Sequence, residues 1–239
     1  MPDADGVIRK TPVTFRGRTY DREAVRLPLI NEGQDLAEIL REHVRPHLRG
    51  GEMVFISEKV VAISQGRLAK GADIEVRPIA RWVAGKVRRS KHGMGHRNPL
   101  VMEMAMREAG VPRILFAAVI GGLTRLFGRT GDFYRIAGRR VAAIDGTNPV
   151  TIPPYGDYVV LMPKDPRGTA RELGSAISAQ CAIVDVNDVG AEILGATPGL
   201  DREALLACVQ DNPLGQGHDQ TPVGIVRLRQ DAHASHGGR

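Results

Sequence analysis

Aromatic residues make up only 4% of this 239-residue chain, which argues against a stacking platform for single-stranded nucleic acid. Cysteine is scarcer still. Cys181 and Cys208 are the only two, and both sit in apolar stretches. They read as buried, inert thiols, and no disulfide framework or Cys/His zinc spacing can be drawn from them. The longest apolar run, Ile114 to Leu123, reaches roughly half the ~20 residues that a membrane helix needs. The opening MPDADGVIRK has no apolar core and does not read as a signal peptide. These absences predict a cytoplasmic protein with no membrane partner. The GxxxxGK[ST] loop, GxGxxG after a strand, the GxSxG elbow and HExxH are missing too, which removes the commonest nucleotide, hydrolase and zinc-protease signatures.

What is present looks like an ordinary globular protein, with 42% hydrophobic and 25% charged residues. The length suits one large domain or two small ones. The net charge of +6 is unevenly spread. From Asp145 to Gln220 there are eleven acids against four bases, so that stretch carries −7 and the rest +13. Arg77 to Arg97 holds seven cations and no acid. A nucleic-acid binder would show one dominant cationic surface with a reading element. A cationic part joined to an Asp-rich part instead suits a site that holds phosphates together with a divalent cation. Phosphates take Arg, Lys and backbone N–H groups, whereas hard metals take carboxylates and amide oxygens. The basic run read by itself is equally a solvated helical face.

Residues 1–20 are polar and read as a mobile arm or short edge strand, 21–229 as one domain or two intertwined subdomains, and 230–239 as a disordered tail. Asp35 caps a helix marked by Leu36, Ile39, Leu40 and Val44. Met53–Ile56 and Val60–Ile63 read as one bent strand or as a strand entering a helix. Residues 76–90 have roughly helical spacing, 91–99 form a loop, and Met102, Met106 and Ala109 mark a helix that stops at Gly110. Strands are expected at 113–119, 141–144, 158–162, 182–184 and 223–226. Helices follow Asp165-Pro166 and Asp201. Strands and helices mix without a regular βαβ period, which predicts an α+β fold with mixed or antiparallel sheets and packed helices.

Two acidic turns follow expected strands: Asp145-Gly146-Thr147-Asn148 and Asp185-Val186-Asn187-Asp188. Aspartates at strand ends are a common way to hold Mg²⁺ or Mn²⁺, although Asx residues also occur in turns for backbone reasons alone. A third loop, Gly215-Gln216-Gly217-His218-Asp219, adds a candidate amide ligand. His96 and His218 each read as surface histidines when taken singly.

Several of these segments together resemble the coenzyme F420-0:L-glutamate ligase family. They are Arg26-Leu27-Pro28 through Leu40, Gly51 through Arg67 (including Ser57-Glu58-Lys59), Ile144-Asp145-Gly146-Thr147-Asn148, Leu161 through Pro166, the strand ending at Asp185, and Leu214-Gly215-Gln216-Gly217 through Arg227. They occur in family order; residues 70–140 do not match closely. The resemblance implies an F420-0:gamma-glutamyl ligase-like fold and an amide-forming ligase. Such an enzyme joins L-glutamate to a carboxylate of a phosphate-bearing deazaflavin through an acyl phosphate, with GTP as co-substrate and Mg²⁺ or Mn²⁺, with K⁺ as a further candidate cation. By the same resemblance Asp145, Asp185 and Gln216 are metal ligands. Leu27, Pro28, Glu58, Lys59, Asn148, Gly215 and Gly217 contact nucleotide, and the protein is a homodimer. Arg88, Arg89, Lys91 and His96, from the basic run, are added as candidate contacts for the anionic acceptor. No catalytic residue is assigned.

Two positions depart from the family pattern. Ile63 replaces a lysine within Ala62-Ile63-Ser64-Gln65-Gly66-Arg67, and Val186 replaces a threonine after Asp185. These motivate a second reading, a non-catalytic or altered-specificity nucleotide- or cofactor-binding paralogue. A nucleic-acid-binding module resting on the basic run is the weakest reading.

Overall fold

The structure is a computed structural model, and it describes residues 6–86, 98–149, 151–187, 190–215 and 219–229. The chain divides into two compact units, one formed by 1–64 with 165–239 and the other by 65–164. This division recasts the charge split. Residues 65–164 hold seventeen Lys and Arg against seven Asp and Glu, a net +10, and the remainder carries −4.

The first unit is built on a six-stranded sheet. Its strands are β1 (Val7–Phe15), β2 (Arg18–Val25), β3 (Met53–Ser57), β6 (Gln180–Asn187), β7 (Gly190–Ala196) and β8 (Val223–Leu228), in the order β1-β2-β8-β3-β6-β7. Only β3 and β6 run parallel; the other neighbours are antiparallel. The fold is therefore α+β with a mixed sheet, as expected. Phe55, Ala182, Val184 and Val226 of the central strands pack with Leu205, Cys208 and Val209 in one apolar core. Phe55 pairs with Gly224 across the β3–β8 ladder, and a Cβ at Gly224 would fall 2.1 Å from the Phe55 ring. Only a glycine lets the ring lie over its neighbour there.

Three helices belong to this unit as the sequence predicts, each opened by an aspartate whose carboxylate accepts backbone N–H groups of the first turn. They are α1 (Leu36–His43) after Asp35, α8 (Pro166–Ile177) after Asp165 and α9 (Arg202–Val209) after Asp201. The bent-strand alternative for 53–63 is settled in favour of a strand entering a helix, α2 (Glu58–Ser64). The boundary expected after residue 20 falls inside β2. Residues 7–25 form a hairpin at the sheet edge, and their polar character is that of a half-wet edge pair.

The second unit holds the two-stranded sheet β4 (Leu68–Lys70) and β5 (Tyr158–Val160), with helices α3 (Pro78–Lys86), α4 (Pro99–Ala109), α5 (Val111–Leu126), α6 (Asp132–Ala137) and α7 (Arg139–Ala142). Its core joins Ala80, Val83, Met102, Met106, Ile114, Ala117, Val141 and Val159. The two chain crossings are tied together, since Lys164 N–H donates to Gln65 Oε1 at 2.9 Å.

Two strand expectations fail here. Residues 113–119 belong to α5. The apolar run reads as a buried strand, but Pro112 sits in the first turn of a helix, and buried Ile114 and Ala117 are three apart. Residues 141–144 are the end of one-turn α7 and its exit, again with buried Val141 and Ile144 at helical spacing. The strand expected at 182–184 is longer than foreseen, because β6 runs on to Asn187 in a hairpin with β7. That partner strand carries few β-branched residues and was not anticipated. Among the described residues no single helix is long and apolar enough to cross a membrane; α4 and α5 together pass that test but are bent by 117°.

Candidate functional site

In the first unit, the topology brings the expected contacts to one end of the sheet. The parallel β3–β6 ladder ends at the pair Ser57↔Val184. The next residues on the two strands are Glu58, which opens α2, and Asp185. Strand β8 runs antiparallel to β3, with Ile56 opposite Val223, so the loop that feeds it arrives at this same end, where Ser57 N–H donates to Pro222 O at 2.9 Å. Strand β2 leaves here as well, with Val25 opposite Val223. The segment after it is pinned to the β8 loop, because Leu27 N–H donates to Gln220 O at 2.9 Å and Arg26 Nε to Asp219 O at 3.2 Å. Leu27, Pro28, Glu58, Lys59, Asp185 and Gly215 are thus carried by loops and strand ends that meet at one edge of the sheet. The carboxyl end of parallel strands is where open α/β-type sheets bind ligands.

The side chains divide into supports and contacts. Leu27 is buried and anchors its segment, whereas Pro28 and Gly215 are exposed. Glu58, Lys59 and Asp185 are half-buried, and one Glu58 oxygen, Oε2, is shut off from solvent. Asp185 lies inside β6, not at its end, and its cross-strand partner on β7 is Glu192. Directly opposed residues point to the same face of an antiparallel pair, so two carboxylates share one face of the sheet. Glu192 escaped the sequence reading because β7 did. Arg26, held by Asp219 O, is a cation at this end that the sequence reading left without a role.

Asp145 and Asn148 belong to the second unit. Asp145 is half-buried, and its backbone N–H and C=O both pair with Val160 at 2.9 Å, as an isolated bridge and not as the end of a strand. Asn148 N–H donates to Gly156 O, and Asn148 O accepts from Thr151 N, each at 2.9 Å. A Cβ at Gly146 would come within 3.1 Å of Val101 on α4. The Asp145–Asn148 turn is therefore packed tightly into its own unit.

The residues expected to hold a metal are described only in part. Among the described residues no group of three or more His, Cys, Asp or Glu is arranged to hold an ion. Asp185 stands in one unit and Asp145 in the other. Gln216 and Gly217 lie outside the described residues, as do His218, Arg88, Arg89, Lys91 and His96. What is present, Asp185 facing Glu192, fits a hard divalent cation, which binds through one or two carboxylates and keeps several waters.

The two departures are physically explicit. Ile63 is buried on α2, so the position that holds lysine in the family faces the core here. Val186 is half-buried on β6. Arg67, which closes the same motif, is used structurally. Its Nε donates to Met162 O at 3.0 Å, and its guanidinium pairs with Glu108 at 2.9 Å. Both cysteines are buried, and burial pushes their thiols up to about 12 for Cys181 and about 11 for Cys208. Neither is a nucleophile at neutral pH.

The profile of the F420-0:Gamma-glutamyl ligase family matches residues 24–187, more than half of the chain. A curated relative, the coenzyme F420:L-glutamate ligase of Methanopyrus kandleri, is 28% identical over 149 residues, covering 60% of this chain and 48% of the relative. The chain spans about half the length of that relative.

Proposed function

From its place in the F420-0:gamma-glutamyl ligase family, to which this chain belongs, we propose that it is an amide-forming ligase. It joins the amine of L-glutamate to a carboxylate on a phosphate-bearing deazaflavin. The supporting observation is the convergence of Leu27, Glu58, Lys59, Asp185 and the Gly215 loop at one end of the six-stranded sheet. In the first step an acceptor carboxylate oxygen attacks the γ-phosphorus of GTP, the P–O bond to GDP breaks, and an acyl phosphate forms. In the second step the neutral amine of glutamate attacks the acyl carbon, the C–O bond to phosphate breaks, and the amine loses its proton as the amide forms.

The chain's own residues supply position and charge. Lys59 and Arg26 place cations at the sheet end for the phosphates, and Leu27 and Pro28 hold the segment over which a base can lie. Asp185 with Glu192 would hold Mg²⁺ or Mn²⁺, which neutralises phosphate charge when bound. Alignment of the two reactants, more than any single acid or base, supplies the rate. The test is GTP turnover by the purified chain with L-glutamate, a deazaflavin acceptor and Mg²⁺ or Mn²⁺. Release of phosphate dependent on all four supports the proposal, and a folded protein with no turnover across a panel of carboxylate acceptors overturns it.

The buried Ile63 favours a second reading, a paralogue that binds nucleotide or cofactor without catalysis. Stabilisation by GTP and metal in a thermal shift, with no phosphate release, would select it.

The protein is further proposed to be a homodimer. The outer face of α5 exposes Phe116, Val119 and Leu123, followed by Leu126 and Phe127 at 80% and 84% exposure. A specific interface buries about 1,000 Å² or more in total, and this apolar face is proposed as its centre.

A further inference from the structure

A second candidate site lies within the 65–164 unit. Arg77 precedes α3, and Glu103 and Arg107 lie one turn apart on α4. Glu103 is 1% exposed, yet it stays ionised. Burial pushes its carboxyl up, but hydrogen bonds from Arg77 and Arg107 outweigh this and hold it below the usual glutamate range. Arg77 Nε donates to both Glu103 oxygens at 2.9 and 3.0 Å, Arg77 N–H adds a contact at 3.1 Å, and Arg107 Nε donates at 3.0 Å. Arg107 Nη2 is fixed on Glu75 O at 3.1 Å.

The buried carboxylate thus grips both guanidiniums by their Nε edges. Among the described residues, Arg77 Nη1 and Nη2 and Arg107 Nη1 make no hydrogen bond. Both arginines line a cleft of about 470 Å³, together with Glu75, Val76, Glu103 and Met106. A guanidinium fork whose rotamer is already fixed is the arrangement that binds a carboxylate in two-point fashion at low entropic cost.

The charge of the lining decides the ligand. Among the described lining residues, two arginines against Glu103 and Glu75 sum to zero, so a polyphosphate gains little on entering. A zwitterion does better, with its carboxylate on the arginine forks and its ammonium toward Glu75, while Val76 and Met106 offer an apolar wall for its methylenes. We infer that the cleft between residues 75–77, ahead of α3, and α4 binds the carboxylate and ammonium of a free α-amino acid through Arg77, Arg107 and Glu75. The choice of L-glutamate as the amino acid rests on the ligase reading, whereas the cleft itself is tested by binding, not turnover.

The experiment titrates L-glutamate, glutarate and inorganic phosphate into the full chain by calorimetry, with and without GTP and Mg²⁺. L-glutamate is expected to bind, with glutarate, which lacks the ammonium, weaker by about tenfold or more. Phosphate should not compete. Arg77→Lys keeps a cation beside Glu103 but removes the fork, and should weaken L-glutamate about tenfold or more; because it also removes the Nε bonds to a buried carboxylate, binding is measured at a temperature where dichroism shows the variant folded. Glu75→Gln should abolish the preference for L-glutamate over glutarate; the main-chain contact of Glu75 to Arg107 is untouched by this change. The inference is overturned if the wild-type chain binds no L-glutamate under either condition, if phosphate displaces it, or if both variants bind like the wild type. Ligase activity that survives such a result would leave the reading at the sheet end standing, and altered binding in an inactive protein would leave the cleft standing.

Discussion

Ser57 and Val184 form the last rung of the parallel β3–β6 ladder, and past it Glu58 opens α2 while Asp185 continues along β6, paired with Glu192 of β7. Ladder register therefore joins two motifs more than a hundred residues apart in sequence. If Asp185 serves the cation and Glu58-Lys59 the nucleotide, this rung fixes the distance between the two functions.

Asp185→Asn is expected to lower metal-dependent turnover by about a hundredfold or more. Asparagine keeps the size and the β6–β7 pairing, so the unfolding temperature should barely move. Assaying GTP turnover and thermal unfolding on the same preparation separates the two effects. Full activity in this variant would remove Asp185 from the ligand set, and Glu192→Gln should weaken apparent metal affinity in the same assay.

Ile63→Lys restores the family's residue but should not restore a phosphate contact. Ile63 is 4% exposed in the core, and an unpaired ammonium there costs about 3 kcal/mol or more. A lowered denaturant midpoint with no gain in turnover is the expected outcome. A stable variant with raised turnover would show that the lysine can reach solvent from α2.

Much of this was legible in the sequence where one local signal sufficed. Asp35, Asp165 and Asp201 announce their helices because an N-cap carboxylate satisfies backbone donors within three residues of itself. The α5 run failed because an apolar segment can be a buried strand or a helix wet on one side, and composition alone does not choose. Strand β7 was illegible because Gly190-Ala191-Glu192 carries no strand propensity; its pairing to β6 makes it a strand. The candidate site residues come from segments that resemble family motifs. That Asp185 would sit one residue past its parallel partner and opposite Glu192 is a property of ladder register, which no local pattern encodes.

Acid should unfold the protein through Glu52 and Glu103. Glu52, like Glu103, is buried, which raises its pKa, but Arg49 N–H, Gly50 N–H and Arg227 Nε donate to it and prevail. Both folded values lie below the unfolded value of about 4.3. Their contribution is complete above that pH and is lost as pH falls through the folded values. The denaturant midpoint should hold steady on their account from neutrality down to about pH 5 and then drop. Glu103→Gln should lower stability at neutral pH and flatten the acid limb, and an unchanged acid limb would exclude Glu103 as a contributor.

Cys181 and Cys208 should resist Ellman's reagent in the folded protein. With the thiols at about 12 and 11, at pH 8 the thiolate fraction is about one in ten thousand and one in a thousand. Both sites are closed to the reagent as well. Labelling should therefore follow global unfolding, with equal rates at the two positions in mild denaturant. Rapid labelling of either cysteine without denaturant would mean that its surrounding core opens locally.

The outer face of α5 makes the sharpest statement about assembly. A helix that is apolar all round is normally covered on all sides. Here Ile114 and Ala117 are buried within the unit, while Phe116, Val119 and Leu123 face outward at 59%, 59% and 51% exposure. Gly121 has a local reason, because a Cβ there would meet Phe133 at 3.1 Å, but Gly122 beside it has open space. A glycine in mid-helix costs about 1 kcal/mol relative to alanine. At Gly122 that cost is offset if a second α5 crosses close by. A two-fold axis would set like faces together and cover the aromatic ends with each other. Light scattering should return twice the chain mass of 25.9 kDa for the wild type. Leu123→Asp should return the single mass, with far-UV dichroism unchanged, since the side chain replaced contributes little to its own core. A wild-type chain that stays monomeric at about 100 μM, well above the Kd of a specific interface of this size, would refute the dimer.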